Sequence, residues 1–142
     1  MIRQAETDAD IERTFAVMKQ LRPTLRAEDY TARIRELMDS QGYRLAFLET
    51  DGVVCAVAGY RFLDMLYCGK FLSIDDLVTD EHNRSKRLGA TLLDWLYAEA
   101  RRAGCTQVEL ISNTMRESAH RFYFRSGFTI DAFHFRRKMI DT

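Results

Sequence analysis

Residues 83–96 read NRSKRLGATLLDWL. Arg84, Lys86 and Arg87 crowd together, the small pair Gly89-Ala90 follows, and Leu88, Leu92, Trp95 and Leu96 recur at helical spacing. A β-prone run ends just upstream near Thr79, so the order is strand, basic loop, helix. The first free amides of such a helix belong to Lys86 through Ala90, and the positive end of its dipole faces the same way, which makes an anion site with phosphate as the obvious ligand. The plain alternative is a solvated helix start. Cations at a helix N-terminus oppose the dipole by about 0.3–1 kcal/mol, so the arrangement is locally unfavourable unless an anion offsets it, and that tips the balance to a site.

Other chemistry is sparse. Cys55, Cys68 and Cys105 are scattered with no CxxC spacing, and His82, His120 and His134 form no i, i+4 ligand pair, so no metal is expected and the thiols read as reduced apolar filler. Lys plus Arg and Asp plus Glu balance at 21 each, which argues against a nucleic-acid or membrane-surface footprint and makes any anion site local. The N-terminal run MIRQAETDADIERTF carries charges where a signal peptide needs an apolar core, and no stretch approaches ~18 uninterrupted apolar residues; a cytoplasmic protein is expected.

The elements that must position the loop follow from period and punctuation. A length of 142 residues at 46% apolar content fits a single domain over 1–142. Ile2 to Ala5 reads as a short strand. Thr7-x-x-Asp10 opens a helix with the stripe Ile11, Phe15, Met18 and Leu21, ended by Pro23. A second helix from about Ala27 carries Tyr30, Ile34 and Leu37, with Gly42 as a left-handed C-terminal cap. Tyr43–Glu49 and Val53–Phe62 flank Thr50-Asp51-Gly52, a strong hairpin signal. Phe71–Thr79 is a further strand, the basic loop leads into a helix closed by Gly104, and Gln107–Ser112 alternates as a strand again. Thr114-x-x-Glu117 opens a fourth helix ending at Gly127. Phe128 to Lys138 returns to strand, with a phase switch from Phe128, Ile130 and Ala132 to Phe133 and Phe135 that suggests a bulge or break. The expected order is β-α-α-β-β-β-α-β-α-β, an α/β fold with a mixed sheet and helices on both faces.

Two segments carry a family resemblance. LVTDEHNRSKRLGATLL resembles the acyl-CoA-binding signature of the GNAT superfamily of N-acetyltransferases, and SAHRFYFRSGF, Ser118 to Phe128, resembles that family's second signature. Their order, with one helix and one strand between them, matches as well. The resemblance implies the GNAT fold over almost the whole chain and acetyl-CoA as co-substrate. It implies that Leu77, Val78 and Thr79 offer backbone groups to the pantetheine arm, that Arg84, Ser85, Lys86, Arg87, Leu88, Gly89 and Ala90 surround the pyrophosphate, and that the strand at 71–79 splays from the one at 107–112 to hold the thioester. Two positions depart from the pattern. Arg87 replaces a loop glycine and is expected to serve only with a negative φ, and Arg116 stands where many members have a pantetheine-facing Asn.

Acyl transfer to an amine needs a neutral nucleophile, an oxyanion donor and an acid for the departing thiolate. In the resemblance Tyr123 is that acid, its other reading being a packing residue, and a strand amide near Val78 polarises the carbonyl. Asp75 and Asp76 in SIDDLVT are candidate bases: alternation would send one to each face, so one should face the cleft, unless both are simply solvated or hydrogen-bonded at a bulge. The resulting expectation is an N-acetyltransferase acting on a primary amine of a small molecule, peptide or protein by direct attack in a ternary complex. The competing class is a non-catalytic acyl-CoA-binding regulatory module. By location alone, Tyr30, Tyr60, Asp64 and Tyr67 are acceptor-lining candidates, and an exposed strand edge or apolar C-terminal surface could support a homodimer.

Overall fold

The computed structural model describes residues 1–140, and the side chains of 84–86 are outside the described set. The chain forms two units, Met1–Leu110 and Ile111–Thr142. The first contains β1 (Ile2–Gln4), α1 (Asp8–Leu21), α2 (Ala27–Gln41), β2 (Arg44–Thr50), β3 (Val53–Met65), β4 (Gly69–Thr79), a 3₁₀ turn (Glu81–Lys86), α3 (Leu88–Arg102) and β5 (Gln107–Leu110); the second contains α4 (Glu117–Arg125). The fold is mixed α/β. The sheet order equals the chain order, β1-β2-β3-β4-β5, with β4 and β5 parallel and every other pair antiparallel.

Local chemistry explains three of the boundaries. The Thr7 side chain accepts from the Asp10 amide at 3.1 Å and starts α1, and Gly42 at φ 66° ends α2. Asp51 and Gly52 both take positive φ, 52° and 77°, as the two-residue hairpin between β2 and β3 requires.

Alternation along the strands sorts the core into two layers. Leu45, Phe47 and Val57 meet Ile11, Val17, Met18, Tyr30 and Ile34 of α1 and α2. On the opposite face Tyr60 packs edge-on against Trp95 of α3, with ring centroids 6.1 Å apart. Helices therefore cover both faces. Tyr30 and Tyr60, read from sequence as acceptor-lining, are core residues instead: Tyr30 bonds Thr14 Oγ1 at 2.7 Å, and Tyr60 accepts from Gln4 Nε2 at 3.0 Å. Asp64 and Tyr67 are exposed around the β3–β4 turn.

In the second unit two expectations are corrected. Thr114 does not cap α4; the turn before the helix is built by Asn113, whose Oδ1 accepts from the Met115 amide at 2.8 Å and whose carbonyl accepts from the Arg116 amide at 3.1 Å. The last strand, expected over 128–138, is absent: residues 128–139 form neither strand nor helix. The phase switch at Ala132-Phe133 leaves no single apolar face for a ladder to bury, and Ile130, Phe133 and Phe135 are exposed.

Candidate active site

β4 is the strand on which the site is built. Its first half pairs on both edges, with β3 and, from Phe71↔Gln107 to Ile74↔Leu110, with β5. Beyond Ile74 the β5 pairing stops while β4 runs on to Thr79 against β3 alone. That leaves a single-sided segment, 75–79, whose outer edge has no partner strand in the first unit.

A β-bulge lies where the pairing changes. Gly59 faces Asp76 but Tyr60 faces Ile74, so Asp75 is the extra residue. The bulge overturns the expectation that Asp75 and Asp76 point to opposite faces and matches the alternative, in which both are hydrogen-bonded at a bulge. Arg61 donates to both carboxylate oxygens of Asp75, at 2.6 and 3.1 Å, and Ser73 Oγ adds a bond at 3.0 Å. Arg61 and Ser73 are a cross-strand pair on the face covered by α1 and α2. Asp76 lies on the same face, accepting from the Tyr43 hydroxyl at 2.7 Å and from Arg22 Nε at 2.9 Å. Burial, then the negative charge of Asp76, push the Tyr43 phenol well above its usual range. Gly59 makes this arrangement feasible, because a Cβ there would fall 1.7 Å from the Tyr43 hydroxyl oxygen and 2.7 Å from Asp76 Oδ2.

The register also sorts the backbone groups of 77–79. The Asp80 amide donates to Cys55 O at 2.7 Å, making that a hydrogen-bonded pair. By alternation Val57 and Val78 form the next such pair, so the Val78 amide is directed to β3, whereas those of Leu77 and Thr79 face the outer edge. Leu77 and Thr79 are thus the residues able to offer backbone groups to a bound chain.

The loop follows. Gln20 of α1 ties its start, donating from Nε2 to Asp80 Oδ1 at 2.9 Å and accepting the Glu81 amide at 2.9 Å. Asn83 Nδ2 takes the other Asp80 oxygen at 2.9 Å. These bonds, that from Gln20 foremost, hold the Asp80 carboxyl below its usual range. The candidate roles of the Arg84, Ser85 and Lys86 side chains lie outside the described residues. Arg87 caps α3 in the left-handed region, φ 59° and ψ 28°, contrary to the negative φ expected of a working arginine there. The position has kept the glycine geometry without the glycine. Its side chain makes no capping hydrogen bond, and the first turn of α3, which holds Leu88, Gly89 and Ala90, contains no acidic residue. A helix start built this way keeps amides for an outside anion.

In the second unit Tyr123 is buried, with its ring edge-on to Phe128 at 5.8 Å and tilted against Phe122 at 5.5 Å. Burial pushes its phenol above the usual value, partly opposed by the Arg116 guanidinium. His120 Nε2 lies 2.8 Å from Asn113 O and 3.1 Å from Ser112 Oγ. Among the described residues no cluster of three His, Cys, Asp or Glu could hold a metal, and no helix is long and apolar enough to cross a membrane. Burial also raises the Cys68 and Cys105 thiols, which makes them poorer nucleophiles.

Gln20, Arg22, Tyr43, Gly59 and Arg61 were not singled out from sequence. Their partners lie 14 to 61 positions away, so no local pattern points to them.

A family model described as Acetyltransferase (GNAT) family matches residues 10–128. An uncharacterized N-acetyltransferase of Bacillus subtilis, YhdJ, is 34% identical over 137 residues, covering 96% of each chain. The aminoalkylphosphonate N-acetyltransferase of Salmonella typhimurium is 34% identical over 97 residues, 68% of this chain and 62% of that one. Among solved structures, AAC(6')-Iy in complex with the bisubstrate analog CoA-S-monomethyl-acetylneamine superposes with a TM-score of 0.82 at 17% identity, covering 98% of this chain and 97% of that one.

Proposed function

Because the chain belongs to the acetyltransferase (GNAT) family, we propose that it moves an acetyl group from acetyl-CoA to a primary amine of a small molecule, by direct attack in a ternary complex, with 1–142 acting as one catalytic domain. The observation that carries this reading is the single-sided segment of β4 running into an uncapped helix start. An open strand edge suits an extended, amide-bearing pantetheine arm, and the amides at 87–90 suit a pyrophosphate. The fold neighbour solved with a CoA analog supports the same ligand.

In the reaction the amine nitrogen attacks the thioester carbonyl carbon, the C–N bond forms, and the C–S bond breaks with its electrons leaving on sulfur. In this reading the outward Leu77 amide stabilises the developing oxyanion. Tyr123 gives the departing sulfur its proton and is reprotonated from solvent; a phenol held above its ordinary value by burial carries that proton throughout the neutral range. The nitrogen loses its own proton to water or to a carboxylate. Asp75 and Asp76 are the candidates, and each would have to give up a charge-assisted hydrogen bond first. Their better-supported role is to shape the bulge.

The relative from Salmonella typhimurium is named for an aminoalkylphosphonate, an amine carrying an anionic group. An amine panel headed by aminoalkylphosphonates, incubated with acetyl-CoA and read as released thiol, tests the reading. Turnover with at least one amine is expected, and Tyr123→Phe should lower kcat by about 10²- to 10⁴-fold with acetyl-CoA affinity near wild type. CoA binding without turnover on any amine would favour a non-catalytic module; full turnover by the variant would return Tyr123 to packing.

A further inference from the structure

The end of α1 touches β4 and its loop at two separated places. Arg22, the C-terminal cap residue of α1, donates from Nε to Asp76 Oδ1 at 2.9 Å and from Nη2 to the Asp75 carbonyl at 3.0 Å, so it grips both bulge residues. Two positions earlier, half-buried Gln20 uses its donor on Asp80 and its acceptor on the Glu81 amide. Between these grips lies the segment 76–80, which spans about 13 Å at ~3.3 Å per residue. Among the described residues, this is the part of β4 that pairs with β3 alone.

We infer that Gln20 and Arg22 are positioning residues that brace this segment at its two ends, Arg22 setting the bulge from which the outward Leu77 amide follows, and Gln20 setting the first turn of the anion loop. The inference rests on the reading that this segment and loop receive acetyl-CoA. Three features separate bracing from general stability. α1 is already anchored by its apolar stripe, Ile11, Val17 and Met18, so its packing does not depend on either polar contact. β4 up to Thr79 is held by its ladder with β3, whereas past the Asp80 amide the loop has left the sheet. And the Gln20 amide meets a carboxylate with its NH₂ and a backbone N–H with its oxygen, so the bonds fix the side-chain orientation and cannot be reproduced by an apolar residue of the same size.

The consequence is a division of labour. Loss of the Gln20 bonds frees the loop and weakens CoA binding, while loss of the Arg22 bonds shifts the bulge and affects transfer more than binding. Gln20→Met, near in size with no donor, and Arg22→Gln separate the two. The measurements are acetyl-CoA affinity by calorimetry, kcat and KM, melting temperature, and amide exchange of the 80–83 region in the ligand-free protein. Gln20→Met should speed exchange at 80–83 and raise Kd and KM for acetyl-CoA by about 5- to 30-fold, the scale of two hydrogen bonds of ~0.5–1 kcal/mol each, with a much smaller fall in kcat. Arg22→Gln should lower kcat by about tenfold, which is 1.4 kcal/mol of barrier, with little change in Kd. Gln20→Glu, which keeps the acceptor for Glu81 but sets a carboxylate against Asp80, should not rescue affinity. Wild-type binding with unchanged Kd and loop exchange in Gln20→Met would overturn this inference alone, as would losses that merely track the melting temperature. A wild type that binds no CoA would overturn the proposed function and this role with it.

Discussion

The two halves of β4 are held by different physics. Phe71 to Ile74 lies between two strands and carries the buried side chains Phe71, Leu72 and Ile74, so ladder hydrogen bonds and apolar packing fix it together. Among the described residues, Asp75 to Thr79 pairs with one strand, and only Val78 of them is buried. What it lacks in packing is replaced by directed polar contacts: Arg61 on Asp75, Tyr43 and Arg22 on Asp76, Gln20 on Asp80. A strand edge without a second strand cannot be held by a ladder on that side, and side chains from neighbouring elements hold it instead.

Substitutions can break this contrast from either side. The largest effect belongs to the paired half: Leu72→Ala removes a fully buried side chain and should destabilise by about 2–5 kcal/mol in denaturant titration, with CoA affinity per folded molecule unchanged. Gly59→Ala acts on the single-sided half. Its Cβ would collide with the Tyr43 hydroxyl, and either that ring or the bulge must move, so a loss of about 1–3 kcal/mol should come with reduced turnover. Equal turnover in both variants at matched folded fraction would erase the distinction between the halves.

Arg87→Gly is smaller and opposite in sign. The left-handed backbone at Arg87 carries a penalty of about 1–2 kcal/mol for a residue with a Cβ, and glycine relieves it at some cost in chain entropy, so the variant should melt slightly higher. If the guanidinium contacts phosphate, the same variant should bind CoA with a weaker salt dependence. Tighter binding at every salt concentration would instead mark the arginine as an obstruction.

The smallest effect is invisible at neutral pH. The Tyr43 phenol is raised in the folded protein, so above about pH 10 the unfolded chain ionises first and binds fewer protons than the native state. Stability contributed by this group is complete below pH 10 and declines as pH rises toward the folded value. Tyr43→Phe should show a shallower alkaline decline than wild type in chemical denaturation, with Tyr30, whose phenol is pushed up to about 12, still contributing to both.

What was legible in the sequence is what a few neighbouring residues decide. Thr7 as a cap, Gly42 as a left-handed end and Asp51-Gly52 as a hairpin are local choices, and each is where the spacing put it. The basic run before α3 and the two family segments carried the class of chemistry for the same reason. The bulge at Asp75 was legible only as one of two alternatives, because it is a mismatch between strands and not a property of SIDDLVT. Tyr30 and Tyr60 were misplaced because an amphipathic ring reads alike in a core and a cleft; Thr14 and Gln4, their partners, are 16 and 56 positions away. Over 128–138 apolar content was mistaken for a strand, although the phase switch already broke the face that a strand would bury.

The sheet's order has a consequence for how the chain acquires its shape. Because β2, β3 and β4 are consecutive in both sequence and space, they can zip as a meander through short turns with little loop-closure entropy. The pairs that close long intervals are β1 with β2, across α1 and α2, and the parallel β4 with β5, across α3. Such non-local pairings are the slow ones in folding. During synthesis the meander is therefore exposed before β5 arrives, and for that interval the whole of β4, not only its final residues, presents an unpaired edge to other chains. Slower synthesis past Arg102 should raise aggregation of the nascent protein more than slower synthesis before Arg44.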